Sequence, residues 1–183
     1  MAILLTLVVA CGDKSTAAPT ASPAVDGAGA SPTTGMHAFT SSSKGYSIEY
    51  PSDWKAQENA FAIGGYQADA FLGPALSGFS TNVNVLCDPY GAGMTADDYL
   101  NASDAQFEKL GIKPKTSGDV AVGTGKGKLI TWTSSVFNQN LDYAQILVTD
   151  AKCGWVLTLT TLSGGRDQYM PTFLDMSKSF MPE

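Results

Sequence analysis

The chain has 183 residues, of which 44% are hydrophobic, so it is long enough to bury the core of one ordinary domain. Its 17 acidic residues outnumber its 11 basic ones, which gives a net charge of −6. Nucleic-acid binding needs a basic surface, and the lysines here do not cluster, so the composition argues against a nucleic-acid partner.

The first dozen residues are typical of an exported, lipid-anchored protein. An uncharged, largely apolar run over residues 2–10 ends in Val8-Val9-Ala10-Cys11-Gly12, which resembles a bacterial lipobox. We predict a signal peptide at residues 1–10, cleavage before Cys11, and a lipid on Cys11 that anchors the chain outside the cytoplasmic membrane. The run lacks Lys or Arg before Lys14 and is shorter than the roughly 20 residues that span a bilayer, so we expect translation to begin upstream of Met1. The alternative is an apolar N-terminus with a chance cysteine.

Residues 11–36 are predicted to form a disordered tether. Residues 12–35 are largely Ala, Ser, Thr, Pro and Gly, with Val25 as the only larger aliphatic residue. Such a segment buries too little apolar surface to offset the entropy of ordering it. A tether of this length holds a domain about 25 to 30 Å from a membrane surface. Residues 37–183 have the composition of a single globular domain.

Alternating apolar and polar residues predict a series of strands in this domain. They cover residues 46–50, 68–72, 79–87, 119–122, 126–136, 141–150 and 154–162. Asn138-Gln139-Asn140 is predicted to be the tip of the hairpin between two of these strands.

Two helices complete the prediction. The first begins after Thr95, whose side chain caps backbone donors, and ends at Gly111. Its buried stripe is expected to contain Tyr99, Ser103, Phe107 and Leu110. The second lies within residues 166–180, with Pro171 expected in its first turn. This order predicts an α+β fold, an antiparallel β-sheet with helices packed on its faces.

Cys87 and Cys153 remain once Cys11 is assigned to the lipid. Each lies on the apolar face of a predicted strand, within residues 79–87 and 153–159. An exported domain with an even number of thiols predicts a Cys87–Cys153 disulfide, and two free buried cysteines are the alternative. No metal site is expected, because two cysteines and a single histidine lack the spacing of ligand pairs.

The segment Gly45-Tyr46-Ser47-Ile48-Glu49-Tyr50-Pro51-Ser52-Asp53-Trp54 resembles the opening strand and turn of PsbP-like domains. Further similarity lies in Ser80-Thr81-Asn82-Val83-Asn84-Val85, in the helix after the Gly-rich loop, and in the closing helix that ends at Ser179-Phe180. Together these segments cover nearly all of the domain. The resemblance is to a superfamily that includes bacterial lipoproteins of the LpqN and DcrB types, and it implies an antiparallel sheet with helices on its faces. It implies no chemistry, since that superfamily consists mostly of binding and assembly proteins.

No set of residues predicts an enzyme. His37 is the only histidine, and it would need a positioned nucleophile and acid to form a hydrolytic triad. The glycine-rich segment 123–128 lacks the Ser or Thr that follows the lysine of a phosphate loop, and a hairpin turn is the simpler interpretation. We therefore expect no catalytic residues and no cofactor.

Binding to a partner is the better-supported hypothesis. Tyr90 and Met94 in the loop after residue 87, and Phe137 beside the hairpin tip, are candidate partner contacts, because loop aromatic and Met side chains favour such contacts. The alternative is that each packs into its own domain. The primary hypothesis is a membrane-tethered, non-catalytic binding or assembly module. The alternative function is a carrier or sensor of a small apolar ligand in a cavity lined by residues such as Phe107 and Trp132.

Overall fold

The computed structural model describes residues 35–76, 78–136 and 138–183. The predicted signal peptide, Cys11 and the predicted tether up to residue 34 lie outside these residues. In the described part, the strands are β1 (Met36–Ser41), β2 (Tyr46–Pro51), β3 (Lys55–Ile63), β4 (Tyr66–Leu76), β5 (Phe79–Asp88), β6 (Lys115–Val122), β7 (Gly125–Val136), β8 (Gln139–Thr149), β9 (Gly154–Leu162) and β10 (Met181–Pro182). The helices are α1 (Ala96–Lys109) and α2 (Arg166–Ser179), and a single 3₁₀ turn covers Pro89–Gly91.

Seven strands form one antiparallel sheet in the order β3-β4-β5-β9-β8-β7-β6. The chain builds β3, β4 and β5 as a meander and then crosses through α1 to the opposite edge. It returns through β6, β7 and β8, so that β9 closes the sheet against β5. A small second sheet has the order β1-β2-β10.

One face of the large sheet is covered by α2 and the small sheet. Aromatic rings fill this layer: the ring centroids of Tyr46 and Trp155 lie 5.6 Å apart, and those of Trp155 and Phe180 lie 5.4 Å apart. Trp155 and Phe180 are fully buried. Such rings bury large apolar areas, and so this layer is the main hydrophobic core.

The opposite face of the sheet carries α1 and a second apolar cluster. Phe107 of α1 meets Trp132 of β7 edge to face at 5.6 Å, and Trp132 stacks on Tyr143 of β8 at 4.9 Å. The sheet therefore has helices on both faces, which confirms the predicted α+β fold. Neither of the described helices is long and apolar enough to cross a bilayer.

The start of α1 has the predicted cap. Thr95 Oγ1 accepts a hydrogen bond from the Asp98 N–H at 3.1 Å, and Tyr99, Ser103 and Phe107 are buried as expected. Leu110, the fourth residue of the predicted stripe, is 38% exposed. It is the C-cap and lies beyond Phe107, the last buried residue of the helix.

The position of Pro171 differs from the prediction. α2 begins at Arg166, so Pro171 lies in the second turn and not in the first. Pro171 lacks the N–H that would bind the Asp167 carbonyl, but both residues are exposed, so water can solvate that carbonyl. The buried side of the helix, with Phe173 and Met176, offsets the lost bond by packing on the sheet.

Several strand details were not predicted. The strand predictions omitted β1, β3 and β10. Strict alternation along β5 would place Phe79 with Val83, but Phe79 packs in the second cluster, close to a register shift between β4 and β5. The hairpin tip is shorter than predicted, because Val136 pairs with Gln139 and β8 already includes Gln139 and Asn140.

The predicted disulfide joins Cys87 and Cys153. Cys87 pairs with Trp155 in the β5–β9 ladder, so its partner Cys153 lies just before β9, and the two Cα atoms are 5.4 Å apart. This distance is ordinary for a disulfide. The bond ties the end of β5 to the turn between β8 and β9.

Removing this bond is expected to destabilise the domain. The two cysteines are 66 residues apart, and for such a loop the chain-entropy model gives about 4 kcal/mol. We expect the double variant Cys87→Ser, Cys153→Ser to lose about this much free energy of unfolding in urea titrations. Alkylation of the unreduced wild type, mapped by peptide mass spectrometry, is the control. Labelling of Cys87 and Cys153 before reduction would show that the disulfide does not form.

Candidate functional site

An open cleft of about 300 Å³ lies where the small sheet, the β3–β4 hairpin and the end of β5 meet. We call it the Cys87 cleft. It is lined by Ser43, Lys44, Asn59, Tyr66, Gln67, Cys87 and Pro89. A larger depression of about 500 Å³ follows α2, but its lining residues all belong to that one helix, so it is an open helix surface.

The floor of the cleft contains a buried ion pair. Lys44 Nζ lies 2.6 Å from Asp69 Oδ1, and the two side chains are 8% and 0% exposed. Asp69 also accepts hydrogen bonds from the Tyr46 hydroxyl and the Asn59 N–H, each at 2.8 Å. Burial raises the pKa of Tyr46, and the Asp69 charge raises it further, so the phenol remains a donor. Three donors thus surround one buried carboxylate.

Local backbone geometry brings these donors together. Lys44 lies in the turn between β1 and β2, which Gly45 closes with a positive φ of 72°. The β3–β4 pairing shifts register between Gln57 and Phe61, and within this bulge Asn59 has a φ of 52°. Asparagine tolerates this left-handed region better than most residues. The bulge turns the Asn59 N–H toward Asp69.

Lys44 has no donor to spare for a ligand. Besides Asp69, its ammonium donates to Asn59 Oδ1 at 2.7 Å and to Ser43 Oγ at 3.4 Å. An ammonium has three N–H bonds, and these three acceptors use all of them. The cleft therefore has a lysine in its wall without presenting a free positive charge.

Glu58 binds the serines of the neighbouring turn. Its Oε1 accepts from the Ser43 N–H and the Ser43 hydroxyl, both at 2.9 Å, and from the Ser41 hydroxyl at 3.0 Å. These bonds, with that of the Ser43 N–H the largest cause, lower the pKa of Glu58 to about 2. Glu58 therefore holds the β1–β2 turn against β3.

The exposed aromatic ring of Tyr90 lies next in sequence to the cleft residue Pro89. Asp88 Oδ1 accepts from the Tyr90 N–H at 3.0 Å, and Asp88 Oδ2 accepts from the buried Tyr99 hydroxyl at 2.9 Å. On the other side, Gly91 lies so close to Gly154 that an added Cβ would be 2.5 Å from the Gly154 Cα. The backbone of Tyr90 is thus held on both sides, while the residue as a whole is 45% exposed.

The three candidate partner contacts differ in placement. Tyr90 is exposed as a contact residue should be. Met94 is half-buried and packs against the second cluster, and its carbonyl accepts from the Thr149 hydroxyl at 2.7 Å. Met94 therefore packs inside its own domain. Phe137 lies outside the described residues.

The cavity expected between the sheet and α1 is not lined by Phe107 and Trp132. Their rings contact each other, and so they fill the space between α1 and β7. His37 lies on β1 with its ring centroid 6.0 Å from that of Tyr50. The described residues include no group of three or more His, Cys, Asp or Glu side chains placed to hold a metal ion.

Comparisons with known proteins show similarity at the level of the fold. The sequence matches no protein-family model, and it has no significant match among curated proteins. Among solved structures, cyanobacterial PsbP (CyanoP) from Synechocystis matches with a TM-score of 0.50 at 15% identity, over 88% of this chain and 98% of that one. LpqN of Mycobacterium tuberculosis matches with a TM-score of 0.50 at 12% identity, over 80% of this chain and 90% of LpqN. LpqN is described as a protein involved in cell envelope biogenesis. The chain has the PsbP-like fold.

A third matching structure is longer than this chain. The Bacteroides thetaiotaomicron structure has a TM-score of 0.56 at 13% identity over 80% of this chain, which spans only 48% of that protein. At these identities the likeness concerns the fold alone. The side chains of the Cys87 cleft must therefore be judged on their own geometry.

Sequence patterns did not reveal the buried charged residues of this domain. Asp69 lies in the predicted strand Ala68-Asp69-Ala70-Phe71-Leu72, and the remaining four residues of that strand are all apolar. A carboxylate in a buried strand almost always has a partner, so Asp69 was the available signal. Nothing in the sequence shows that the partner is Lys44, which lies 25 residues earlier.

Loss of the Lys44 ammonium should leave Asp69 as an uncompensated buried charge. We expect Lys44→Met to lower the free energy of unfolding by about 3 kcal/mol, as for other buried pairs that lose one partner. Lys113→Met, at an exposed loop position, is the matched control and should change it by less than about 0.5 kcal/mol. Urea titration of both variants measures the difference. Equal, small effects would mean that the ion pair is not buried in solution.

The low pKa of Glu58 predicts a pH-dependent contribution to stability. The native pKa is about 2, against 4.5 for an ordinary Glu, so the native state favours the ionised form. Its contribution is complete above pH 4.5 and is lost as the pH falls toward 2. Wild type should therefore exceed Glu58→Gln in Tm at pH 7, and the gap should close in acid. Glu108→Gln, at an exposed position on α1, should show no such trend. A gap that stays constant between pH 7 and pH 2 would contradict the assignment.

Proposed function

We propose that this chain is a non-catalytic binding or assembly module, tethered outside the cytoplasmic membrane by a lipid on Cys11, and that Tyr90 beside the Cys87 cleft contacts its protein partner. The observation that carries the proposal is the presentation of Tyr90, a 45% exposed residue whose backbone is held by Asp88 and by Gly91. Tyr is enriched among residues that dominate binding energy, and a backbone that is already ordered loses little entropy on binding.

The chemistry of the cleft supports binding over catalysis. The Lys44 ammonium is saturated by Asp69, Asn59 and Ser43, and Glu58 is occupied by serines. A general acid or base must instead have access to a substrate proton. These groups serve to shape the walls of the cleft.

Two observations support a location outside the cytoplasm. The Cys87–Cys153 disulfide is typical of proteins that fold in an oxidising compartment. LpqN, which shares the fold, is described as involved in cell envelope biogenesis. A tethered module with an exposed contact residue fits such a setting.

Site-specific photocrosslinking in living cells tests the proposal. A benzophenone amino acid at position 90 is expected to give a discrete crosslinked product in the membrane fraction, because the ring at this position faces the partner. The same amino acid at Leu110, which is 38% exposed at the far end of α1, is the matched control and should give none. A Cys11→Ser arm should move the protein out of the membrane fraction.

Each arm has a result that would overturn its part of the proposal. Identical products from positions 90 and 110, or no product from either, would remove Tyr90 as a partner contact. Retention of the Cys11→Ser chain in the membrane fraction would remove the lipid anchor.

A further inference from the structure

Four of the described strands lie at sheet edges, and three of these have features that prevent further strand pairing. β3 begins with Lys55 and is interrupted by its bulge at Asn59. β6 begins with Lys115 and has a register shift before Gly118. β10 has only two residues, and one of them is Pro182. Charged side chains, bulges, proline and short length are the means by which proteins keep sheet edges from pairing with other chains.

The fourth edge strand, β1, has none of these features. Its sequence, Met-His-Ala-Phe-Thr-Ser, contains no Lys, Arg, Asp, Glu or Pro. All six residues pair with β2 in an unbroken register. The exposed residues of the strand are Met36, His37, Ala38 and Thr40. β1 is therefore an open edge on which a further strand can pair.

The hydrogen bonds between β1 and β2 determine which backbone groups of β1 face this open edge. In register with the two strands, the Ser52 N–H donates to the Gly35 carbonyl at 2.9 Å. Bonded and non-bonded residue pairs alternate along an antiparallel ladder, so every second residue from Gly35 onward bonds to β2. The residues between them direct their N–H and C=O groups away from β2. These residues are Met36, Ala38 and Thr40, and no described group of the chain bonds to their backbone.

One face of β1 continues the aromatic layer of the main core out to the open edge. The ring centroid of Phe39 lies 5.2 Å from that of Phe71 on β4, and the ring centroid of His37 lies 6.0 Å from that of Tyr50 on β2. Phe39 is half-buried and His37 is exposed. The aromatic layer thus ends at β1 without a covering strand.

We propose that β1 pairs with β1 of a second copy of this chain, antiparallel about a two-fold axis at Ala38, so that the two small sheets join into one. In this register Met36 lies opposite Thr40 of the second copy, and all the open backbone groups form bonded pairs. His37 lies opposite Phe39 of the second copy in the closer, non-bonded pair, where aromatic side chains stabilise a sheet. The inference uses neither Tyr90 nor the Cys87 cleft, so it does not depend on the function proposed above.

Charge favours a second copy as the occupant of this edge. The chain has a net charge of −6, so two copies repel each other unless they meet through an uncharged surface. β1 is such a surface, and it offers no charge for an ionic partner to recognise. On the adjoining strand, Glu49 pairs with Ala38. Three strand spacings, about 14 Å, would separate Glu49 from its copy, which exceeds the Debye length of about 8 Å in physiological salt.

Sedimentation equilibrium of the full chain carrying Cys11→Ser tests the proposal. We expect a monomer–dimer equilibrium with a Kd on the order of 100 μM, because one pair of six-residue strands buries less than the roughly 1,200 Å² of a stable complex. Ala38→Glu places two carboxylates opposite each other at the axis and should raise the Kd at least about fivefold. Ala121→Glu, at an exposed position of the edge strand β6, adds the same charge and should leave the Kd unchanged.

A mixture of two charge variants tests the position of the axis. Ala38→Lys mixed with Ala38→Glu places opposite charges across the axis, so the mixture should form more dimer than Ala38→Glu alone. All these proteins share residues 1–34, and differences between them therefore report on β1.

Ala38→Cys provides a measurement that does not depend on charge. With Cys11→Ser in place and Cys87 joined to Cys153, the new thiol is the only free one. Bonded residues of an antiparallel pair have Cα atoms about 5.5 Å apart, which a disulfide can span. Mild oxidation should therefore give a covalent dimer, and Ala121→Cys on β6 should stay monomeric.

The same measurements can overturn the proposal. A chain that stays monomeric up to about 1 mM, ten times the expected Kd, would exclude self-pairing and leave β1 open to a strand of another protein. Equal Kd values for Ala38→Glu and Ala121→Glu, or equal crosslinking at the two Cys positions, would mean that the copies do not meet at β1. Masses beyond that of a dimer would contradict the two-fold axis.

Discussion

The Asp69 carboxylate imposes the constraint on which the Cys87 cleft depends. It is fully buried, and a buried carboxylate without partners costs several kcal/mol. Its partners come from the β1–β2 turn through Lys44, from β2 through Tyr46, and from the β3 bulge through the Asn59 N–H. These segments belong to two different sheets. One carboxylate therefore fixes the small sheet against the edge of the large one.

The rest of the cleft follows from that attachment. The β3–β4 hairpin forms one wall because the Asn59 bulge bends β3 toward Asp69. The opposite wall is the end of β5, which the Cys87–Cys153 disulfide joins to the β8–β9 turn. A charge network holds one wall and a covalent bond holds the other. Tyr90 lies beside walls that are ordered before any partner arrives, which lowers the entropy lost on binding.

Local signals in the sequence were enough for most of the fold. Thr95 predicted the start of α1 because a capping side chain accepts from a backbone N–H only three residues away. The Cys87–Cys153 pairing was predicted from the number of cysteines and from the strand faces on which they lie. The strand β3 was missed because its bulge at Asn59 breaks the alternation that predicts strands. The site was missed for a different reason: Lys44 and Asp69 meet only through tertiary packing, and no local pattern links two residues in separate sheets.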